Sequence, residues 1–316
     1  MNLSYDILPT VTASVGYRYS EEDKYVFLNS TLPALGLVFV QGPQKFSDKV
    51  PLYDAKLSWQ ATPDLLVYGK YGTGYRAGGI GFRAANAQFQ PETAKTYEAG
   101  AKWEFNIGSI PARFNAAAFH TDYQNFQISV VLLNPVRQTV INAGGAILKG
   151  AEFEFSAKPT SNLDVSASLG LLDSHYTSFI FNNATLGGLL NLTNNKLRDA
   201  PKVNFSASVG YTVPSTIGEW LFQADYAYSS SYEIDTVSQP NAPVQVRTNF
   251  YHQDPTNIFN ARVRLREPFG TKVDVSLWAK NLTDQKVQAF SLAVAGLLET
   301  TYGEPLSYGV ELRLPF

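Results

Sequence analysis

Hydrophobic and polar positions alternate with a period of two through most of this chain. Tyr308, Val310, Leu312, Leu314 and Phe316 fall on one face of a strand, with Gly309, Glu311, Arg313 and Pro315 on the other. Val203, Phe205, Ala207, Val209, Tyr211 and Val213 likewise oppose Asn204, Ser206, Ser208, Gly210 and Thr212. In water, an edge strand with a bare apolar face invites aggregation. Lipid covers such a face, and a closing neighbour covers such an edge. The pattern predicts an all-β, antiparallel chain that forms a portion of a transmembrane β-barrel.

About twelve strands follow from the alternation and the turn residues. They lie near Val11–Tyr19, Ala55–Gln60, Leu65–Arg76, Thr93–Phe105, Ala112–Ser129 and Ile141–Ala157. The series continues with Leu163–Tyr176, Val203–Val213, Trp220–Tyr232, Phe259–Glu267, Lys272–Leu282 and Leu306–Phe316. Tight turns are expected at Thr62–Asp64, around Gly108, and at Thr160–Asn162, Pro214–Gly218 and Pro268–Gly270. Long loops are expected up to Pro51 and over Ala77–Gln90, Val130–Thr139, Ser178–Pro201, Asp235–Thr256 and Thr283–Pro305. Short and long connections alternate, which places every tight turn on one edge of the sheet. An outer-membrane barrel has this asymmetry, with short periplasmic turns and long extracellular loops. The segments Leu65–Arg76, Thr93–Phe105 and Ala112–Ser129 exceed the 9–11 residues or so that cross a bilayer, and are expected to rise above it as a wall. No linker divides residues 1–316.

Composition agrees. Charged residues are 16% of the 316, below the roughly 25% of soluble domains, and aromatics are 13%. Mean hydropathy is only -0.13, and no run approaches the 18 or so apolar residues of a membrane helix. Arg262, Arg264 and Arg266 share a strand face and cannot meet hydrocarbon, where each would cost about 2–4 kcal/mol. They are expected to face a wet lumen or another protein domain, near the short-turn mouth. The net charge of -2 gives no nucleic-acid surface. With no cysteine, disulfides, thiolate metal sites and cysteine nucleophiles are excluded. The amino terminus has neither a basic start nor an apolar signal region, and Met1 is the sole methionine. The chain therefore reads as beginning inside something longer.

Catalytic patterns are weak. Gly72-x-Gly74-x-x-Ala77 leads into more glycine rather than a helix, so it does not hold a dinucleotide. His120, His175 and His252 lack ligand spacing, and Glu152 with Glu154 suits a lumen-facing pair. Ligand contacts are expected at the loop end instead. Tyr75, Arg76 and Arg83, on a strand end and a Gly-rich loop, combine an aromatic with cations that can grip an anionic or planar molecule. His252, in His252-Gln-Asp254, is a further candidate. Plain loop packing is the competing role for all four.

Five phrases, in order, resemble the carboxy-terminal part of TonB-dependent outer-membrane receptors. They are Tyr71-Gly-Thr-Gly-Tyr-Arg-Ala-Gly-Gly79, Gln90–Lys102, Asn115–Phe126, Gly150-Ala-Glu-Phe-Glu154 and Asn281-Leu-Thr-Asp284. The resemblance implies the last twelve or so strands of a plugged barrel of about 22. The plug, its energy-coupling box and about ten strands are not seen here. It further implies import of a scarce nutrient such as a ferric siderophore across the bacterial outer membrane, with no cofactor and no enzymatic activity. Expected partners are outer-membrane lipid, the TonB system through a plug, and the barrel-assembly machinery. That machinery would read the terminal strand Tyr308, Val310, Leu312, Leu314 and Phe316. A small passive porin-like channel and an outer-membrane hydrolase are the alternatives.

Overall fold

The computed structural model describes residues 1–32, 37–81, 88–133, 136–183, 188–235, 251–294 and 297–314. Thirteen strands make one sheet. They are β1 (Asn2–Leu8), β2 (Val11–Leu32), β3 (Leu37–Thr62), β4 (Leu65–Arg76), β5 (Glu92–Ile107), β6 (Ile110–Leu133) and β7 (Val136–Thr160). The rest are β8 (Leu163–Ser178), β9 (Val203–Ser215), β10 (Gly218–Ser229), β11 (Thr256–Arg266), β12 (Asp274–Lys280) and β13 (Ser307–Arg313). Each pairs antiparallel with its chain neighbours, giving an unbroken meander with β1 and β13 at its edges. About twelve strands were expected, and the sheet has thirteen among the described residues. The addition is β1, where Leu3, Tyr5 and Ile7 alternate with Ser4 and Asp6.

Two residues join β1 to β2, β3 to β4, β5 to β6, β7 to β8 and β9 to β10, and a compact turn joins β11 to β12. All the long connections lie on the opposite edge. Two stretches expected as loops are in fact paired backbone. Residues 20–32 and 37–50 continue β2 and β3, in a ladder that runs from Val11↔Trp59 to Leu32↔Leu37. Residues 130–133 and 136–139 continue β6 and β7. Beyond the alternating band no face has to be apolar, so alternation stops while the hydrogen-bond ladder continues. The tall walls are therefore these two hairpins, while β4 keeps its 12 residues.

Register keeps the two faces distinct across the sheet. One apolar row runs Val213, Trp220, Leu265, Val275, Leu312 from β9 to β13. Another runs Val11, Trp59, Val67, Ala101, Ala116, Phe153, Leu169, Phe205 from β2 to β9. A one-residue slip in any pair would turn a whole strand inside out. From Val203 to Val213 the apolar face extends about 33 Å along the strand, or about 24 Å of height at a tilt near 45°. This matches the apolar band of a membrane barrel. Aromatics bound the band. Trp103–Phe105 and Trp220–Phe222 stack toward the short turns, while Tyr17–Tyr53 and Tyr71–Tyr97 pair toward the loops.

The other face carries polar partners. Arg113 pairs with Glu104 at 2.6 Å, Lys158 with Asp164 at 3.2 Å and Arg266 with Glu219 at 2.6 Å. Ser168 meets Ser206 at 2.7 Å, and Asn115 donates to Glu154 at 3.0 Å. A single sheet has no second layer to bury apolar side chains, so the buried core lies above the band. There Ile128, Val130, Ala143, Ala146, Tyr176, Phe179, Phe181 and Leu192 cluster. The small hairpin Ile180–Asn183/Gly188–Asn191, from the β8–β9 connection, folds onto the upper parts of β6 to β8 to form it.

Candidate functional site

The rim at the top of β4 is built by strands parting. Above Gly72, β4 leaves β3, and Thr73 fills the break: the Tyr53 N–H donates to Thr73 Oγ1 at 2.7 Å, and that hydroxyl donates back to Tyr53 O at 3.1 Å. Tyr75 then reaches across to β3, its Oη donating to Asp48 Oδ2 at 2.7 Å. Burial, and then this bond to a carboxylate, raises the Tyr75 pKa above that of a free phenol. Lys24 donates to Gly78 O at 2.8 Å and pairs with Glu22 at 3.2 Å. Gly78 is needed here, because a Cβ would strike the Phe46 ring and Phe89 O.

Two amides clamp the same loop from the other side. Gln127 Nε2 donates to Ala77 O at 2.9 Å and Gln90 O at 3.1 Å, while its backbone N–H donates to Glu92 Oε2 at 2.6 Å. Asn142 accepts from Gln90 N at 2.7 Å and donates to Gln90 O at 2.9 Å and Asn125 O at 2.7 Å. Each backbone group bonded in this way is relieved of the cost of burial without a partner. The sequence reading missed both amides. Their one signal is a polar residue inside an apolar run, Phe126-Gln127-Ile128 and Ile141-Asn142-Ala143.

The expected ligand residues separate into two places. Tyr75 and Arg76 stand together at the rim. Tyr75 is engaged by Asp48, whereas the Arg76 guanidinium is exposed and has no partner among the described residues. Arg83 lies outside the described residues. His252 is elsewhere, on the β10–β11 connection, with six strands between it and the rim. It sits in a short hairpin where Nδ1 meets Glu233 Oε1 at 3.1 Å and Nε2 meets Asp254 Oδ1 at 3.8 Å. Among the described residues, no group of three acidic or histidine side chains is placed to hold a metal.

Arg262, Arg264 and Arg266 all lie on the polar face and are held there. Arg262 pairs with Glu311 at 3.2 Å, Arg264 donates to Ser276 Oγ at 3.3 Å and Arg266 pairs with Glu219. Nearby, a groove of about 780 Å³ runs up this face, lined by Glu104, Arg113, Ser156, Asp164, Ser208 and Gln223. On the terminal strand Tyr308 is 79% exposed, and Val310, Leu312 and Leu314 are exposed on the same apolar face. Phe316 lies outside the described residues. Chemically, the rim offers an accessible cation at the end of β4, and the groove offers a wall of mixed polar and apolar groups; both suit recognition.

Known proteins share this architecture. Residues 2–282 match the family model described as TonB dependent receptor-like, beta-barrel. The probable TonB-dependent siderophore receptor PiuA of Acinetobacter baumannii is 24% identical over 247 residues, which is 74% of this chain and 30% of that protein. The crystal structure of the siderophore receptor PiuA superposes with a TM-score of 0.70 at 21% identity, over 98% of this chain and 41% of that one. The ferric yersiniabactin uptake receptor FyuA from Yersinia pestis superposes over all of this chain and 44% of its own, with a TM-score of 0.80 at 17% identity. The chain thus spans less than half the length of these relatives.

Proposed function

Because this chain belongs to the TonB-dependent receptor β-barrel family, we propose that it is part of the wall of an outer-membrane transporter importing a scarce, bulky nutrient. The proposed substrate class is a ferric siderophore. The observation that carries this reading is the continuous apolar face set against a polar face of ion pairs and hydroxyls. The apolar face meets lipid, the short turns lie in the periplasm and the long connections face outside. The polar face, with Arg262, Arg264 and Arg266, packs against a plug that the TonB system pulls. Tyr75, Arg76, Arg83 and His252 belong to the recognition surface, where Arg76 is the accessible cation. The terminal strand, Tyr308 to Phe316, is what the barrel-assembly machinery engages.

Sheet topology argues against the passive porin alternative. Thirteen antiparallel strands leave β1 and β13 running in the same direction, so an all-antiparallel barrel needs an odd number of further strands. Two copies related by an axis along the barrel keep the same mismatch. Uptake of radioactive iron tests the function. Iron-starved cells lacking the gene lose energy-dependent uptake of at least one ferric siderophore and regain it with the gene restored. Unchanged uptake of every ferric chelate tried contradicts the proposal.

A further inference from the structure

The turn between β11 and β12 carries an aromatic ring that neither the sheet nor the rim uses. Phe269 is 80% exposed. Its backbone is nonetheless closely held in an uncommon shape. Glu267 and Phe269 have φ of 47° and 55°, the left-handed region that residues with a Cβ seldom adopt. The Phe269 N–H donates to Ile217 O of the neighbouring turn at 2.9 Å. The Gly270 N–H donates to Glu267 O at 3.0 Å, Thr271 Oγ1 to Pro268 O at 2.8 Å and the Glu267 N–H to Asp274 Oδ1 at 3.3 Å. Such backbone persists only where its surroundings over-determine it, and it clusters where a residue must be presented.

The turn lies beside the apolar face. A Cβ on Gly218 would stand 3.0 Å from Leu265 Cδ1 and 3.4 Å from Pro268 Cα, so Pro268 sits next to a side chain of the apolar row. The aromatic pairs Trp220–Phe222 and Trp103–Phe105 close the same end of that face. Ile217, which holds Phe269, is three residues beyond Trp220. That is about 10 Å along the strand and about 7 Å of height. The headgroup layer outside the hydrocarbon is about 5–8 Å thick. Lys272, exposed just past the turn, puts an ammonium group within reach of that layer.

We propose that the Pro268–Gly270 turn is a membrane anchor whose Phe269 ring enters the phospholipid headgroup layer at the short-turn edge. This rests on the reading of the apolar face as lipid-facing. This chain has no cysteine to remove, so single cysteines can be placed in it within the intact transporter and labelled with an environment-sensitive fluorophore. F269C, S161C at another short turn and V209C in the apolar band would be reconstituted in phosphatidylethanolamine vesicles. Heat-modifiable migration would check each for folding. Lipids carrying a quencher either near the headgroup or deep in the chains then report depth. The F269C label is expected to be quenched about twofold more by the shallow quencher than by the deep one. V209C should show the reverse order, and S161C should respond to aqueous iodide instead. An F269C label open to iodide and untouched by lipid quenchers overturns the anchor. One shielded from both places the ring against protein and also overturns it. Failure of V209C to respond to the deep quencher overturns the lipid-facing reading itself, and the anchor with it.

Discussion

Tyr75 and Arg76 are neighbours with different fates. The Tyr75 hydroxyl is engaged by Asp48, so its first role is to fasten β4 to the β2–β3 wall. Arg76 gives only its backbone to the fold and leaves its guanidinium in solvent. A pH dependence follows. The Tyr75 pKa is raised in the folded protein, so the folded state holds this proton more tightly than the unfolded state. The associated stability is complete below about pH 10, the pKa of a free phenol, and falls as pH rises beyond it. Thermal unfolding in detergent between pH 8 and 12 or so should therefore show an alkaline loss that Y75F reduces. Equal alkaline loss in both proteins would mean that the contact does not form. The place of Arg76 at a strand end was legible in sequence because a cation beside a Gly-rich stretch is conspicuous. Gln127 and Asn142, which hold the same loop, were not. Their partners are backbone carbonyls 17 to 52 residues away, and sequence carries no mark of such pairing.

Individual strands were legible where one face is apolar and the other polar, and illegible beyond that band. From Val203 to Val213 one face must be apolar and the other polar, and the alternation reports this directly. Residues 20–32 and 37–50 break the alternation, with Glu21-Glu-Asp-Lys24 in one strand and Ser47-Asp-Lys49 in the other, so a paired hairpin reads as a loop. β1 has a good alternation over seven residues, but a short segment beside the terminus carries little pattern. The β8–β9 connection adds an element of its own. Tyr176 and Phe179 are fully buried with ring centroids 5.0 Å apart, in a core beyond the alternating band. Tyr176→Ala should cost that core about 3–5 kcal/mol. The expected readout is faster proteolysis within 179–202 while the heat-modifiable band of the barrel is kept. Loss of that band would show that the upper core and the barrel fold as one unit.

At the scale of the molecule, one sheet serves two solvents, and its order follows from that. Each strand pairs with the next, so no chain segment has to cross the sheet, and the connections sort by length onto two edges. The polar face has exposed ion pairs, each worth at most about 1 kcal/mol, so they set the character of the wall more than its stability. The same-direction edges β1 and β13 are the feature least visible in sequence, because strand parity emerges only when every strand is counted. The measurement that tests the account most directly is labelling of single cysteines with a membrane-impermeant maleimide. L189C lies on the loop edge and S109C in a short turn, and both positions are exposed. L189C should label in intact cells, and S109C only after the outer membrane is opened. Labelling of S109C in intact cells, or recovery of the chain in the soluble fraction, would contradict an outer-membrane barrel wall.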